Sequence, residues 1–397
     1  MMAENTGHTM VRREFLEKLG VLSLGAMVAG GSTASQVHAQ QTQAGKAWEP
    51  ISDRKVRVGI VGYGVCKFGA QFGFQDHPNV EIVAVSDLIP ERRNGLMEAC
   101  RCAKSYDSLE ELVKDPKIEA VFVATDAPSH PRHCMEVLNH GKHVMTAVPA
   151  VIGSLEQAEQ LVETVQKTGL KYMMAETSCF HEDCYAMRKI YHAGGFGKLL
   201  YSEGEYYHYC PIPIPSYKDW RVGLPPLWYP THATAYYVGT TGKRFTSVSC
   251  VGSNAGLGAV APGANKYDNP FSDEVALFQT SEGGSSRMLM CTGVCGLIDE
   301  TGRVFGEKGY MNKMSYQGTM KDLPDLARPA LPPSVDLGGH GGSHGPLMNE
   351  FVTAILQNRD PIVNVYEALA MTVPGIIAHQ SALKGGETLK IPQFDKA

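Results

Sequence analysis

The sequence predicts an α/β chain: a doubly wound parallel sheet first, then an α+β domain with a large open, mainly antiparallel sheet. Three observations carry that expectation. Between residues 56 and 146 short apolar runs alternate with stretches of helical length, the pattern of parallel strands joined by crossover helices. The first run, Val56, Val58, Ile60 and Val61, enters Gly62-Tyr63-Gly64, and the next run ends in Ser86-Asp87. From about residue 179 the alternation gives way to a succession of strand-length segments.

Glycine is required where a backbone bends sharply and comes close to a pyrophosphate, which the amides at a helix N-terminus then bind. Gly62, Gly64 and Val65 are the expected phosphate-facing positions, and Asp87 stands where a carboxylate takes the two ribose hydroxyls of an adenosine half. Strand, turn, helix, strand and acid together predict a Rossmann domain that binds a dinucleotide. Lys67 occupies the place of the usual third glycine, whose ordinary task is close helix–strand packing, and the next glycine is Gly69. A carboxylate at the ribose repels an added phosphate, so NAD is expected over NADP, with Arg92 and Arg93 near enough in sequence to soften the preference.

Residues 119–125 read as a buried strand, with Thr125 and His130 at its cofactor end. A helix over 131–139 closes at Gly141, a short strand follows at 143–146, and Ser154-Leu155-Glu156-Gln157 is a capping box. The helix it opens places Ala158, Leu161, Val162 and Val165 on one face. Segments 199–208, 245–252, 275–280, 287–293 and 303–311 read as strands of one sheet with a single covered face. Residues 318–345 form a long loop rich in proline and glycine, a length usually functional or disordered. Helices near 347–356 and 368–383 end the chain.

At 397 residues two domains are expected, and a net charge of -5 without charge blocks gives no reason to expect nucleic acid. The ten cysteines include no CxxC pair, so no metal site is expected. Arg12-Arg13-Glu14-Phe15-Leu16, an apolar run over 19–29 and Val37-His38-Ala39 resemble a twin-arginine leader, too short in its apolar part for a stable membrane span. The expected organisation is a leader at 1–39, a linker at 40–54, the Rossmann domain at 55–178, and a substrate-binding and oligomerisation domain at 179–397. That leader implies the twin-arginine export machinery as a partner, a periplasmic or otherwise exported protein, and a cofactor loaded before export.

Gly62-Tyr63-Gly64, Ser86-Asp87, Ala124-Thr125 with His130, Gly141-Lys142-His143-Val144 and Pro149 resemble the Gfo/Idh/MocA oxidoreductases in order and spacing. The resemblance implies a mixed α/β second domain whose open sheet often mediates oligomerisation, so a homo-oligomer is expected. Where many members carry Glu-Lys-Pro, this chain reads Ala147-Val148-Pro149, without the lysine. Val148-Pro149-Ala150, Met173-Met174, Gly204-Glu205, Tyr229-Pro230-Thr231-His232 and His340-Gly341-Gly342 look like the NAD-dependent glycosidases of glycoside hydrolase family 109. In that group the tyrosine and histidine of Tyr-Pro-Thr-His line the sugar site. Two positions depart: Ala147 replaces a glutamate and Phe180 an active-site tyrosine.

The residues themselves supply replacements. An imidazole titrates near neutral pH, which makes His232 the first candidate for the base, with Tyr229 orienting the same oxygen; a helix-capping role for His232 is the alternative. His181, just past Phe180, is a second acid–base candidate. Glu205, Tyr207, Trp220, Arg221 and His340 are expected to contact the substrate, since aromatic and polar side chains stack on sugar faces and bond hydroxyls. The leading expectation is an exported NAD-dependent oxidoreductase acting on a small carbohydrate, polyol or glycoside. A redox-neutral glycosidase or lyase and a non-catalytic carbohydrate-binding protein are the alternatives.

Overall fold

The computed structural model describes residues 35–38, 47–254 and 265–396. The arginine pair, the apolar run of the expected leader and part of the expected linker lie outside the described residues. No helix among the described residues is long and apolar enough to cross a membrane.

Two sheets organise the described chain. The first six-stranded sheet is built from β2 (Val56–Val61), β3 (Val80–Ser86), β4 (Ser105–Tyr106), β5 (Ala120–Val123), β6 (His143–Thr146) and β7 (Tyr172–Met174), in the order β4-β3-β2-β5-β6-β7. Every pairing in it is parallel. Crossovers include α1 (Phe68–Gln71), α2 (Pro90–Ala99), α3 (Leu109–Leu112), α4 (His130–Asn139) and α5 (Leu155–Thr168). The order reverses direction between β2 and β5, where a doubly wound sheet opens its ligand crevice. Ser154 caps α5 as its sequence indicates, its hydroxyl accepting from Gln157 N at 3.2 Å.

The second sheet has nine strands: β1 (Ser35–His38), β8 (Leu199–His208), β9 (Phe245–Ser253), β10 (Asp273–Thr280), β11 (Ser285–Cys291), β12 (Ile298–Gly306), β13 (Gly309–Asn312), β14 (Ser315–Gly318) and β15 (Leu389–Lys390). Their order is β1-β14-β13-β12-β8-β11-β10-β9-β15, antiparallel throughout except for the parallel pair β8–β11. On one face lies α7 (Thr231–Thr241), which follows α6 (Glu182–His192) and is buried along its whole length. Small residues bring it close: a Cβ at Gly204 would collide with the Ala233 carbonyl. The opposite face is open and carries the exposed Val251, Val275 and Leu277 beside a network joining Glu203, Glu205, Arg287 and Arg303. Helices α8 (His344–Leu356) and α9 (Val365–Leu383) complete the fold.

Two details differ from the sequence expectation, and a third falls on the expected leader. The run read as one strand over 303–311 is a hairpin, because Glu307 and Lys308 turn between β12 and β13 with their amides bonded to Lys198 and Phe196 carbonyls. The helix after the glycine turn is a single turn, ended where Gly73 takes a left-handed φ of 76°. Strand β1 comes from within the expected leader and pairs with β14, Ser35 opposite Gly318 and His38 opposite Ser315.

Candidate functional site

At the carboxyl ends of β2, β3 and β5 a cleft is lined by Gly62, Gly64, Val65, Asp87, Thr125 and Val148 among others. Gly62 has φ 102°, and a Cβ on it would run into the Ala124 carbonyl. Gly64 differs: a Cβ there would meet nothing within 4 Å, so its backbone faces open space of the kind a diphosphate fills. The third glycine's task is taken by Gly69, whose Cβ would strike the Gly62 carbonyl and lie 3.1 Å from Leu96 Cδ1. Lys67 therefore costs the site no packing.

Asp87 is fixed from both sides. Tyr63 N donates to its Oδ2 at 2.7 Å and Ile89 N to its Oδ1 at 2.9 Å, leaving outward lone pairs on both oxygens for a diol. The donor set, the open cradle at Gly64 and the fixed carboxylate fit a dinucleotide. Asp87→Ala is expected to weaken NAD binding about 10- to 100-fold, the effect of losing a charged hydrogen-bond pair. A fluorescence titration giving the wild-type Kd would remove Asp87 from the ribose.

Against this cleft lies a second cavity, lined by Ala147, Val148, Tyr206, Tyr229, His232 and His340 together with Arg221 and His208. His232 stands at the start of α7, and its approach is pinned: Leu227 N donates to Glu274 Oε2 at 2.8 Å, and Glu274 Oε1 meets His379 Nδ1 at 2.7 Å. Behind His232, Glu176 at the end of β7 places Oε1 2.8 Å from the ring Nδ1, and Glu300 on β12 places Oε2 3.6 Å away. Glu176 is fully buried and also accepts from Ser178 N at 2.9 Å. With Nδ1 held by carboxylates, Nε2 is the ring nitrogen left for a ligand. Burial opposes the charged ring, yet Glu176 and Glu300 outweigh it and push the His232 pKa up to about 9. Tyr206 packs edge-on to His232 with centroids 4.6 Å apart, and Tyr229 lies 5.6 Å away.

The other expected site residues divide. Trp220 and Arg221 line the cofactor cleft, Arg221 and His340 the second cavity. Burial holds His340 below its usual pKa, with the charge of His232 adding to the effect. Thr125 uses its hydroxyl on His133 Nδ1 at 2.9 Å. His130 is buried with Nδ1 2.9 Å from the Pro149 carbonyl and Nε2 3.2 Å from the Thr125 carbonyl; burial lowers its pKa, so the neutral ring donates to one of the two. His181 sits behind Glu300, Nε2 to Oε2 3.5 Å, and does not line the cavity.

Glu205 and Tyr207 point the other way. Side chains alternate along a strand, so Glu205 joins Arg287 on the open face with Tyr207 on its side, while Tyr206 and His208 face the cavity. Glu176 and Glu300 are the neighbours of His232 that sequence reasoning did not select. A carboxylate directly after the apolar Met173-Met174-Ala175 run was the available signal for Glu176; Glu300 comes from a distant strand with none.

Residues 56–176 match the oxidoreductase family described as having an NAD-binding Rossmann fold, and residues 332–397 match the C-terminal domain of glycosyl hydrolase 109. A glycosyl hydrolase family 109 protein of Porphyromonas gingivalis is 31% identical over 177 residues, which span 42% of this chain but only 38% of that relative. A Streptomyces filamentosus protein of the same description is 26% identical across 95% of this chain and 87% of its own length. Among solved structures, levoglucosan dehydrogenase in complex with NADH and levoglucosan superposes with a TM-score of 0.69 at 16% identity, over 86% of this chain and 100% of that one. Scyllo-inositol dehydrogenase from Lactobacillus casei with NAD(H) and scyllo-inositol gives 0.65 at 16% identity, over 85% and 99%. At these identities the likeness to the two dehydrogenases is one of fold. Residues 56–176 thus form an NAD-binding Rossmann domain of the Gfo/Idh/MocA type, and residues 332–397 are similar to the C-terminal domain of the glycosyl hydrolase 109 proteins.

Proposed function

We propose that this protein is an NAD-dependent oxidoreductase that oxidises a secondary hydroxyl of a sugar, polyol or glycoside, with His232 as the base. The observation that carries the reading is the His232–Glu176 pair opening onto a cavity that adjoins the cofactor cleft through Val65, Ala147 and Val148. Bound in the cleft, NAD supplies the hydride acceptor. His232 takes the hydroxyl proton at Nε2 while Glu176 holds the far nitrogen and stabilises the imidazolium. Tyr229 and Tyr206 exclude water and offer hydroxyl groups to the same oxygen. The names of the dehydrogenases that share the fold, with levoglucosan and scyllo-inositol bound, support a polyhydroxylated substrate.

The match to the glycosyl hydrolase 109 C-terminal domain favours a second reading, a redox-neutral glycosidase or lyase. His340, a second imidazole in the same cavity, would then serve the elimination step. A panel of sugars, polyols and aryl glycosides separates the readings. Reduced nicotinamide matching keto product establishes the dehydrogenase; aglycone release without net reduction establishes the redox-neutral route. Ligand binding with neither signal removes both.

We further propose export through the twin-arginine route with the cofactor already in place, and association of two copies through the open face of the nine-stranded sheet. Freshly purified protein is expected to release NAD on denaturation and to sediment as a dimer or larger. An NAD-free supernatant by mass spectrometry counts against the first, a monomeric sedimentation profile against the second.

A further inference from the structure

Arginines in this fold are mostly matched to acids: Arg359 holds Glu350, Arg132 holds Glu110, and Arg244 holds Glu367 and Asp395. Arg221 is different. Among the described residues no carboxylate lies within ion-pair distance of its guanidinium. The group is clamped between aromatic rings, Cζ 4.2 Å from the Trp220 ring centroid and 5.7 Å from that of Tyr229. Stacking of this kind fixes the plane of the fork; the Tyr229 hydroxyl takes one of its hydrogen bonds, and the other N–H donors are left to meet a ligand.

That fork lines the cofactor cleft, the adjoining substrate cavity and a third cavity reaching past Leu224 and Met290. The substrate cavity and the third cavity have no carboxylate in their walls. Their titratable lining besides Arg221 is imidazole, phenol and thiol, and burial holds both His208 and His340 below their usual pKa, as neutral rings. The acids nearest the chemistry, Glu176 and Glu300, lie behind His232 and are matched to it. At Ala147, which lines both cofactor and substrate spaces, the side chain is an uncharged methyl group. A half-buried cation without a counter-charge gains from an anion placed against it, through two parallel charged hydrogen bonds.

We infer that the substrate carries a carboxylate, as a uronic acid or its glycoside does, and that Arg221 grips it as a bidentate pair. The inference rests on the carbohydrate reading above and narrows it. A sugar hydroxyl satisfies hydrogen bonds at Arg221 but leaves its charge unmatched. A carboxylate satisfies both, and no acid in the substrate cavity repels it.

The test is a binding series on the purified, NAD-loaded protein. Methyl glucuronide, methyl galacturonide and methyl mannuronide are each compared with the neutral methyl hexoside of the same configuration, with binding read from thermal shift and calorimetry. At least one uronide is expected to bind about 30-fold more tightly than its neutral counterpart, the size of a charged hydrogen-bond pair. Arg221→Gln is expected to bring that ratio close to one, and Arg221→Lys to leave an intermediate value, because a point charge keeps the attraction and loses the fork. The thermal melt of each variant without ligand confirms that it is folded. Neutral hexosides binding as tightly as every uronide overturn the carboxylate assignment and leave the carbohydrate reading intact. An unchanged ratio in Arg221→Gln overturns the role of Arg221. Binding of neither class overturns the carboxylate inference and the carbohydrate reading together.

Discussion

His232→Asn is expected to lower kcat for oxidation about 10²- to 10⁴-fold, the range for removing a positioned general base, with KM changed far less. Asparagine can donate to Glu176 from the same place but leaves its buried charge unmatched, so the melting temperature should fall as well, and a ligand-free melt shows that the variant is folded. The pH profile is the finer probe. As Glu176 and Glu300 raise the His232 pKa to about 9, the ring is an imidazolium at neutral pH. Oxidation needs the neutral ring, so its kcat/KM is expected to climb with pH, reach half its maximum near 9 and level off above it, while carbonyl reduction, which needs the imidazolium, falls over the same interval. Glu176→Gln removes the charge that holds the proton, so the acid limb of the oxidation profile should shift to lower pH. An unshifted limb would show that another group controls it. The same coupling predicts a stability effect: the folded pKa is raised, so the stabilisation is complete below about 6.5, the ordinary histidine value, and is lost as pH climbs through 9.

Local rules made the Rossmann half legible. The glycine turn, the buried runs and the acid ending β3 each act within a few residues, and the structure places Asp87 on the Tyr63 and Ile89 amides beside that turn. Legibility fell where function depends on partners far apart in the chain. Glu300 reaches His232 from β12, and nothing in its neighbourhood marks it. Strand parity explains another miss: Tyr206 and Tyr207 are chemically alike in sequence, and only the packing of α7 on β8 decides which of them faces the cavity. His130 lines the cofactor cleft beyond β5, but both its ring nitrogens face backbone carbonyls, to one of which the neutral imidazole donates. The residue type was informative there, and its bonding was not.

Two substitutions in the glycine turn are expected to have opposite signatures although they lie two residues apart. At Gly62 the backbone adopts φ 102°, and an added Cβ would strike the Ala124 carbonyl and sit 3.0 Å from Thr125 N. Those neighbours are main chain and cannot rotate away. To make room, β2 must separate from β5 where Ala124 N donates to the Val61 carbonyl at 2.7 Å. Gly62→Ala should therefore destabilise the fold by about 3 kcal/mol or more, seen as a lower melting temperature with and without NAD. At Gly64 φ lies outside the left-handed range and a Cβ meets no atom within 4 Å, so Gly64→Ala should melt within about 0.5 kcal/mol of wild type. Its cost falls on binding, because the new methyl enters the space the diphosphate requires and crowding of that kind costs about 1–3 kcal/mol, roughly 5- to 150-fold in Kd. Thermal melts paired with NAD titrations on both variants decide the matter. Normal NAD affinity in Gly64→Ala would show that the diphosphate does not pass over Gly64, and a normal melt for Gly62→Ala would show that β2 and β5 can part at their cofactor end without loss.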